Sequence, residues 1–142
     1  MIRRVASALS VAALFGLSVP AQASDITGLW ATGSEGGRVQ IYRCGGELCG
    51  KVVDAARLRG NPDLRDLRNS NPELRQRRIK GLVVLRGFTG GPREWRGGPV
   101  YDPETGDGAS RGYLKLLPGG KLELKGCVAF FCRTKVWTRV SG

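Results

Sequence analysis

The chain has 142 residues and a mass of 15.3 kDa, which is the size of a single domain. Its 23 lysine and arginine residues outnumber its 12 aspartate and glutamate residues, and it has no histidine. The lack of histidine excludes a Ser-His-Asp or Cys-His nucleophile system within this chain and removes the commonest transition-metal ligand. We therefore expect neither a metal site nor a cofactor.

The N-terminal 23 residues have the features of a secretory signal peptide. Arg3-Arg4 forms a positive start, residues 5–19 form an apolar run broken only by small Ser and Gly, and Ala21-Gln22-Ala23 matches the pattern before a cleavage site. The apolar run is too short and wrongly flanked for a membrane span. We expect cleavage after Ala23, export to the periplasm or the extracellular space, and one domain over residues 24–142.

The exported part contains eight short apolar segments, most of them alternating, with turn signals between most of them. They cover residues 28–32, 38–44, 48–54, 79–88, 93–101, 111–117, 121–127 and 133–140. This pattern is typical of a sandwich or an up-and-down barrel, and the succession of hairpins favours a meander, which can close on itself. We predict an all-β, eight-stranded antiparallel barrel, with a kink at Gly97-Gly98-Pro99. Val39, Ile41, Leu48 and Val52 are expected to point inward, whereas the pattern does not decide which face of the last strand is buried.

Four cysteines lie in the exported part, in two pairs with the same C-x4-C spacing. An even count in an oxidising compartment favours disulfides. Across a two-residue hairpin turn, positions i and i+5 are directly opposed with Cα atoms about 4.5 Å apart, so we pair Cys44 with Cys49 and Cys127 with Cys132. A four-cysteine zinc site is the alternative, although it usually has shorter C-x2-C spacing, and a redox centre is less well supported.

One long connection, residues 55–78, interrupts the regular spacing, and we call it the basic segment. Between Arg57 and Lys80 the chain has eight basic and three acidic residues. Because few apolar residues are present, we expect residues 57–68 to be mobile.

The basic segment is also the candidate anion-binding element. Arg75, Arg77 and Arg78 precede a strand that could aim them at the barrel mouth, and arginine suits carboxylate and phosphate groups. The alternative is a solvated loop without a ligand. No aromatic residue lies between these arginines, so we expect no nucleic-acid partner.

The acidic stretch from Tyr101 to Gly108 is the other candidate site. Its three carboxylates among glycines suggest a calcium loop, but the spacing and the closing glutamate of an EF-hand are missing, so a hairpin turn is the better interpretation. The carboxylates of the chain form no recognisable pair for acid–base chemistry. We therefore expect a protein that is not an enzyme.

The order and spacing of several short motifs resemble the bacterial domain-of-unknown-function 2147 family. The matching stretches are Gly28-Leu29-Trp30, Leu48-Cys49-Gly50-Lys51-Val52-Val53, Asn71-Pro72 with Arg75, Gly81-Leu82, Trp95 with Gly97-Gly98, Val100-Tyr101-Asp102-Pro103 with Gly106, and Trp137-Thr138-Arg139-Val140. The resemblance implies an exported bacterial protein with a lipocalin-like barrel, and it implies no particular activity. Because Asn71-Pro72 and Arg75 belong to the family pattern, it also implies that this end of the basic segment is fixed on the barrel rim.

Gly28-x-Trp30 is also similar to the opening motif of lipocalins. That resemblance implies that Trp30 closes one end of the barrel and that an arginine near the last strand, here Arg139, lies over its ring. The alternative is that Trp30 is simply part of the core.

Three hypotheses for the function follow from these observations. The first is a protein that binds a small, partly apolar ligand in the barrel. The second is an envelope protein whose basic segment binds an acidic partner or makes peripheral contact with anionic envelope components. The third is an enzyme that uses carboxylates, Tyr or Lys in place of histidine.

Overall fold

The computed structural model describes residues 13, 15–17 and 25–141. The predicted signal peptide lies outside the described residues except at positions 13 and 15–17, and it stays a prediction. Within the described residues, no helix has the length and apolar character needed to cross a bilayer. Every assigned strand and helix lies between residues 28 and 141.

Ten strands form one antiparallel sheet. In chain order they are β1 Gly28–Ala31, β2 Arg38–Cys44, β3 Glu47–Asp54, β4 Val83–Gly90, β5 Glu94–Gly97, β6 Val100–Asp102, β7 Asp107–Ala109, β8 Arg111–Leu117, β9 Lys121–Val128 and β10 Phe131–Ser141. A short helix, α1 (Ala56–Gly60), and a 3₁₀ turn (Pro72–Leu74) lie between β3 and β4. The strand expected from residue 79 begins at Val83, and β7 is an addition to the predicted strands.

The sheet closes on itself because β3 pairs with both β2 and β4. The ring runs β3-β2-β1-β10-β9-β8-β5-β4 and returns to β3. β6 follows β5 after a break at Gly97-Gly98-Pro99, and β7 pairs with β6 and leads into β8. The structure is therefore the predicted eight-stranded, antiparallel, up-and-down barrel, with two of its wall strands divided.

Glycine is required where β5 and β6 are divided. A side chain at Gly97 would clash with the carbonyl oxygen of Gly87 on β4, and Gly98 has a φ of 128°. Only glycine adopts such a φ readily. The predicted kink is therefore a place where the backbones of neighbouring strands approach closely.

Alternation along the strands separates core from solvent. All four residues predicted to point inward from β2 and β3 are buried: Val39, Ile41, Leu48 and Val52. On β10, Trp137 is buried whereas Val136 and Thr138 are exposed, which identifies the inward face that the sequence pattern did not decide. Burial of apolar surface at about 25 cal/mol per Å² is the main force that holds this barrel together.

The structure contains both predicted disulfides, Cys44–Cys49 and Cys127–Cys132. In the β9–β10 hairpin, Cys127 and Cys132 are directly opposed across a two-residue turn, and their Cα atoms are 4.1 Å apart. This is the geometry from which the pairing was predicted.

The β2–β3 hairpin has a different register from the one predicted. Its turn is Gly45-Gly46, so Cys44 faces Glu47 and is a diagonal neighbour of Cys49. The Cα atoms of this disulfide are 5.9 Å apart, which a disulfide also spans. The pairing is therefore correct, while the direct opposition expected for Cys44 and Cys49 is wrong.

The connections between strands alternate between two ends of the barrel, because successive strands run in opposite directions. The end that carries connections 32–37, 55–82, 103–106 and 129–130 is called the open end. The end that carries turns 45–46, 91–93 and 118–120 is called the closed end. The start of β1 and the end of β10 both lie at the closed end. The long connections that could shape a binding site are therefore gathered at the open end.

Candidate functional site

A cavity of about 400 Å³ occupies the barrel interior at the open end. Its inner wall is apolar and includes Val39, Val52, Val84, Leu85, Leu124 and Trp137. All four connections of the open end contribute to its lining or lie next to lining residues. This volume falls within the range of small-molecule sites in proteins.

Two ion pairs cross the cavity mouth. The ammonium of Lys135 on β10 lies 2.9 Å from the carboxylate of Asp102 on β6. The guanidinium of Arg133 on β10 lies 3.8 Å from the carboxylate of Asp107 on β7. Exposed pairs of this kind contribute at most about 1 kcal/mol each. They therefore orient the β6–β7 hairpin over the mouth more than they stabilise the barrel.

Trp137 contributes its ring to the cavity wall. Its side chain is buried, and its indole N–H has no hydrogen-bond acceptor in the part of the chain that the structure describes. Leaving a buried donor unpaired costs about 1–3 kcal/mol. The indole nitrogen has almost no accessible surface, so this unpaired donor lies within the wall and does not face the open cavity.

The basic segment folds against the open end through a buried polar network. The fully buried carboxylate of Asp66 accepts a hydrogen bond from the Tyr101 hydroxyl on β6 at 2.5 Å. It also accepts hydrogen bonds from the side chains of Asn69 and Arg77, both at 2.9 Å. Burial and the hydrogen bond to Asp66 raise the pKa of Tyr101, so this hydroxyl stays a donor. Together with α1 and the buried Leu58, the network gives residues 57–68 more order than the sequence predicted.

The three arginines proposed for anion binding each have a partner within the basic segment. Arg75 donates a hydrogen bond to the carbonyl of Asn69 at 2.8 Å. Arg77 pairs with the carboxylate of Asp66, and the guanidinium of Arg78 lies 2.7 Å from the carboxylate of Asp63. In the described part of the chain, none of the three lines either cavity. The expectation that the scaffold aims them at the mouth is not met, because their guanidinium groups bind one carbonyl and two carboxylates of the segment itself.

A smaller cavity of about 180 Å³ adjoins the first one alongside the basic segment. The two cavities share Ala55, Ile79, Pro103 and Glu104. The smaller one is lined by three other arginines of the segment: Arg57, Arg65 and Arg68. Cationic side chains therefore do reach this end of the barrel, from positions that the sequence did not single out.

Glu104 lies where the two cavities meet. Burial raises the pKa of Glu104, and the carboxylates of Asp102 and Glu35 raise it further, against the opposing effect of Lys135 and Arg57. A carboxyl group with a raised pKa donates a hydrogen bond over a wider pH range than an ordinary glutamate.

Trp30 and Arg139, the pair predicted from the lipocalin resemblance, meet at the closed end. The Arg139 guanidinium lies 4.3 Å from the centroid of the completely buried Trp30 ring. The Trp30 indole donates to the carbonyl of Ile26 at 2.9 Å, and Arg139 donates to the carbonyls of Thr27 and Asp25. The contact ties the residues before β1 to β10, at the end opposite the cavity mouth.

Several cavity residues were missed by the sequence analysis. The position of Trp137 follows from the alternation of β10 once its inward face is known, so that signal was present in the sequence. No local signal marked Arg57, Arg65 or Arg68, because their placement depends on how the basic segment folds back. The acidic stretch after Tyr101 forms the β6–β7 hairpin, and the described residues contain no group of three His, Cys, Asp or Glu arranged to hold a metal ion.

Comparison with known proteins identifies the family. A family model described as an uncharacterized protein conserved in bacteria, DUF2147, matches residues 28–139. The chain belongs to the DUF2147 family. No curated protein matches this DUF2147 protein.

A solved structure resembles this DUF2147 protein in fold. Protein HP1028 from the human pathogen Helicobacter pylori, described as belonging to the lipocalin family, matches with a TM-score of 0.69 and 23% sequence identity. The match covers 82% of this chain and 84% of that chain. At this identity the likeness shows a shared lipocalin-like fold, and function has to be argued from the site.

Proposed function

We propose that this DUF2147 protein binds one small, partly apolar molecule in the barrel cavity. The observation that carries the proposal is the cavity of about 400 Å³, with its apolar inner wall and its mouth at the open end. An eight-stranded barrel can be filled by side chains or can hold one small ligand, and a cavity of this size favours the second arrangement. The lipocalin-like fold fits ligand binding in general.

The proposed place of action is the periplasm or the extracellular space. Two disulfides are typical of proteins that fold in an oxidising compartment. The signal peptide predicted over residues 1–23 supports the same location.

The chemistry of the cavity restricts the ligand. Apolar side chains at the inner wall, with the ring of Trp137 among them, favour a hydrocarbon or aromatic body. The charged mouth favours a polar group that remains in contact with solvent. The proposed ligand is therefore amphipathic and small enough to enter a cavity of this volume.

A fluorescent apolar probe, N-phenyl-1-naphthylamine, tests the proposal. Val39→Phe adds bulk at the inner wall, so it should weaken probe binding about tenfold or more while the protein stays folded. Val136→Phe places the same change on the exposed outer face of β10 and should leave probe binding unchanged. Equal probe binding by the parent and the Val39→Phe variant, or no binding by either, would rule out the cavity as the site.

Binding of an acidic envelope component by the basic segment is the second candidate. The observation that favours it is the placement of Arg57, Arg65 and Arg68 around the smaller cavity. This candidate makes a different prediction in the probe experiment, because an acidic partner on the segment would not compete with a probe inside the barrel. Its affinity would also fall steeply with salt.

A further inference from the structure

The β9–β10 hairpin ends in an exposed apolar tip, residues 128–131, at the open end of the barrel. Phe130 is 100% exposed, Phe131 is 84% exposed and Val128 is 52% exposed. Single exposed apolar residues are common, but a contiguous group that includes two phenylalanines marks an interaction surface. The tip therefore needs an explanation beyond the folding of the hairpin.

The turn itself does not require these residues. Two-residue hairpin turns favour glycine or asparagine where φ is positive, yet Ala129 occupies such a position with a φ of 51°. Phe130 follows it and packs against nothing in the described part of the chain, since its whole surface is exposed. The two aromatic side chains thus contribute little to the stability of the barrel.

The tip is held in a fixed shape. The Cys127–Cys132 disulfide crosses the hairpin directly behind the turn, and Arg111 on β8 donates a hydrogen bond to the carbonyl of Ala129 at 2.6 Å. A preorganised surface loses little conformational entropy when it binds. The hairpin therefore presents its two phenylalanines as a rigid projection.

Two cationic side chains lie beside this projection. Arg111 reaches the turn itself, and Arg133 on β10 is 86% exposed. The basic segment, with its excess of cationic residues, lies at the same end of the barrel. Three carboxylates at the mouth, those of Asp102, Glu104 and Asp107, offset part of this charge. The positive excess of the open end comes from the basic segment, with eight basic and three acidic residues between Arg57 and Lys80.

We propose that the tip docks on the surface of a bilayer that contains anionic phospholipid. The phenylalanines enter the boundary between headgroups and acyl chains, and the cations of the open end lie against the lipid phosphates. Val128 and Phe131 also line the cavity mouth, so docking holds the mouth against the membrane surface. This inference stands on the tip and its charges, and it does not require that the cavity binds a ligand.

The test is co-sedimentation of the chain lacking residues 1–23, which retains the complete barrel, with vesicles of two compositions. We expect binding to vesicles of phosphatidylcholine with phosphatidylglycerol, weakened by salt, and much weaker binding to phosphatidylcholine alone. The double variant Phe130→Ser with Phe131→Ser should bind at least about tenfold more weakly at an unchanged thermal midpoint. The matched control Val140→Ser removes an exposed apolar side chain near the closed end and should not change binding.

A second measurement locates the contact. Phe130→Trp places a fluorophore at the tip, and brominated phosphatidylglycerol should quench its emission more than that of the unsubstituted protein. Equal vesicle binding by the double serine variant, or an unquenched tryptophan at position 130, would overturn the proposal. A dimer that dissociates in the double serine variant, without vesicle binding by the parent, would instead assign the tip to a second copy of the chain.

Discussion

At the scale of single residues, Glu104 combines partial burial with two neighbouring carboxylates, Asp102 and Glu35. Its raised pKa means that the folded protein binds more protons than the unfolded chain just above the ordinary glutamate pKa of about 4.3. Ionisation of Glu104 therefore lowers the free energy of unfolding as the pH rises through that window. Glu104→Gln should remove this loss, so the stability of the variant relative to the parent should be greater at pH 7 than at pH 4.

Urea unfolding at several pH values measures this difference. Glu73→Gln, at an exposed site in the basic segment, is the matched control for removing one carboxylate from a basic protein. A constant difference between Glu104→Gln and the parent over the whole range would contradict the prediction.

The contact between Trp30 and Arg139 gives a second prediction at this scale. Trp30→Ala should lower the free energy of unfolding by about 3–5 kcal/mol, because the ring is fully buried. Arg139→Ala should cost less, and the double variant should show a coupling of about 0.5–2 kcal/mol, since the guanidinium lies over the ring. Denaturant unfolding of the four proteins yields the coupling.

Lys125 supplies the control for this cycle. It makes its own cation–π contact with Tyr113, with the ammonium 4.6 Å from that ring, so Lys125→Ala should be additive with Trp30→Ala. Additive behaviour of Arg139→Ala as well would show that the contact with Trp30 contributes no energy.

At the scale of elements, Asp66 connects the basic segment to β6. Asp66→Ala would leave the Tyr101 hydroxyl and the Arg77 guanidinium without their buried acceptor, which should cost about 3 kcal/mol. Hydrogen exchange should also become faster across residues 61–80, because the segment loses its attachment to the barrel wall.

The matched control for Asp66 is Asp63 in the same segment. Its carboxylate is 58% exposed and pairs with Arg65 and Arg78, so Asp63→Ala should change stability by about 1 kcal/mol or less. Equal effects of the two substitutions would show that the buried network does not hold the segment in place.

At the scale of the whole molecule, the features that the sequence predicted are those with local signatures. Alternation identified the strands and the inward face of β2 and β3, and consecutive hairpins predicted a closed meander. The C-x4-C spacing predicted both disulfides, although the turn of the β2–β3 hairpin lies at Gly45-Gly46 and its register differs. Hairpin pairing depends on residues a few positions apart, so a pattern within each segment is enough to predict it.

The order of the basic segment was missed because it depends on contacts between distant positions. Asp66 and Tyr101 are 35 residues apart, and neither residue has a local pattern that reveals their hydrogen bond. That bond orders the basic segment, and its order in turn decides which arginines reach the cavities. Counting apolar residues therefore underestimated the order of this segment. A buried carboxylate that accepts hydrogen bonds from three donors stabilises the segment in place of buried hydrocarbon.

The positions at which β1 begins and β10 ends have a practical consequence. β1 begins and β10 ends at the closed end, as the pairing of Leu29 with Ser141 shows. A label, an affinity handle or a tether joined just before β1 or just after β10 would therefore extend away from the cavity mouth and the aromatic tip. Protein immobilised through its C-terminus would present the open end to the solution, so that ligands and vesicles could be passed over the same oriented layer.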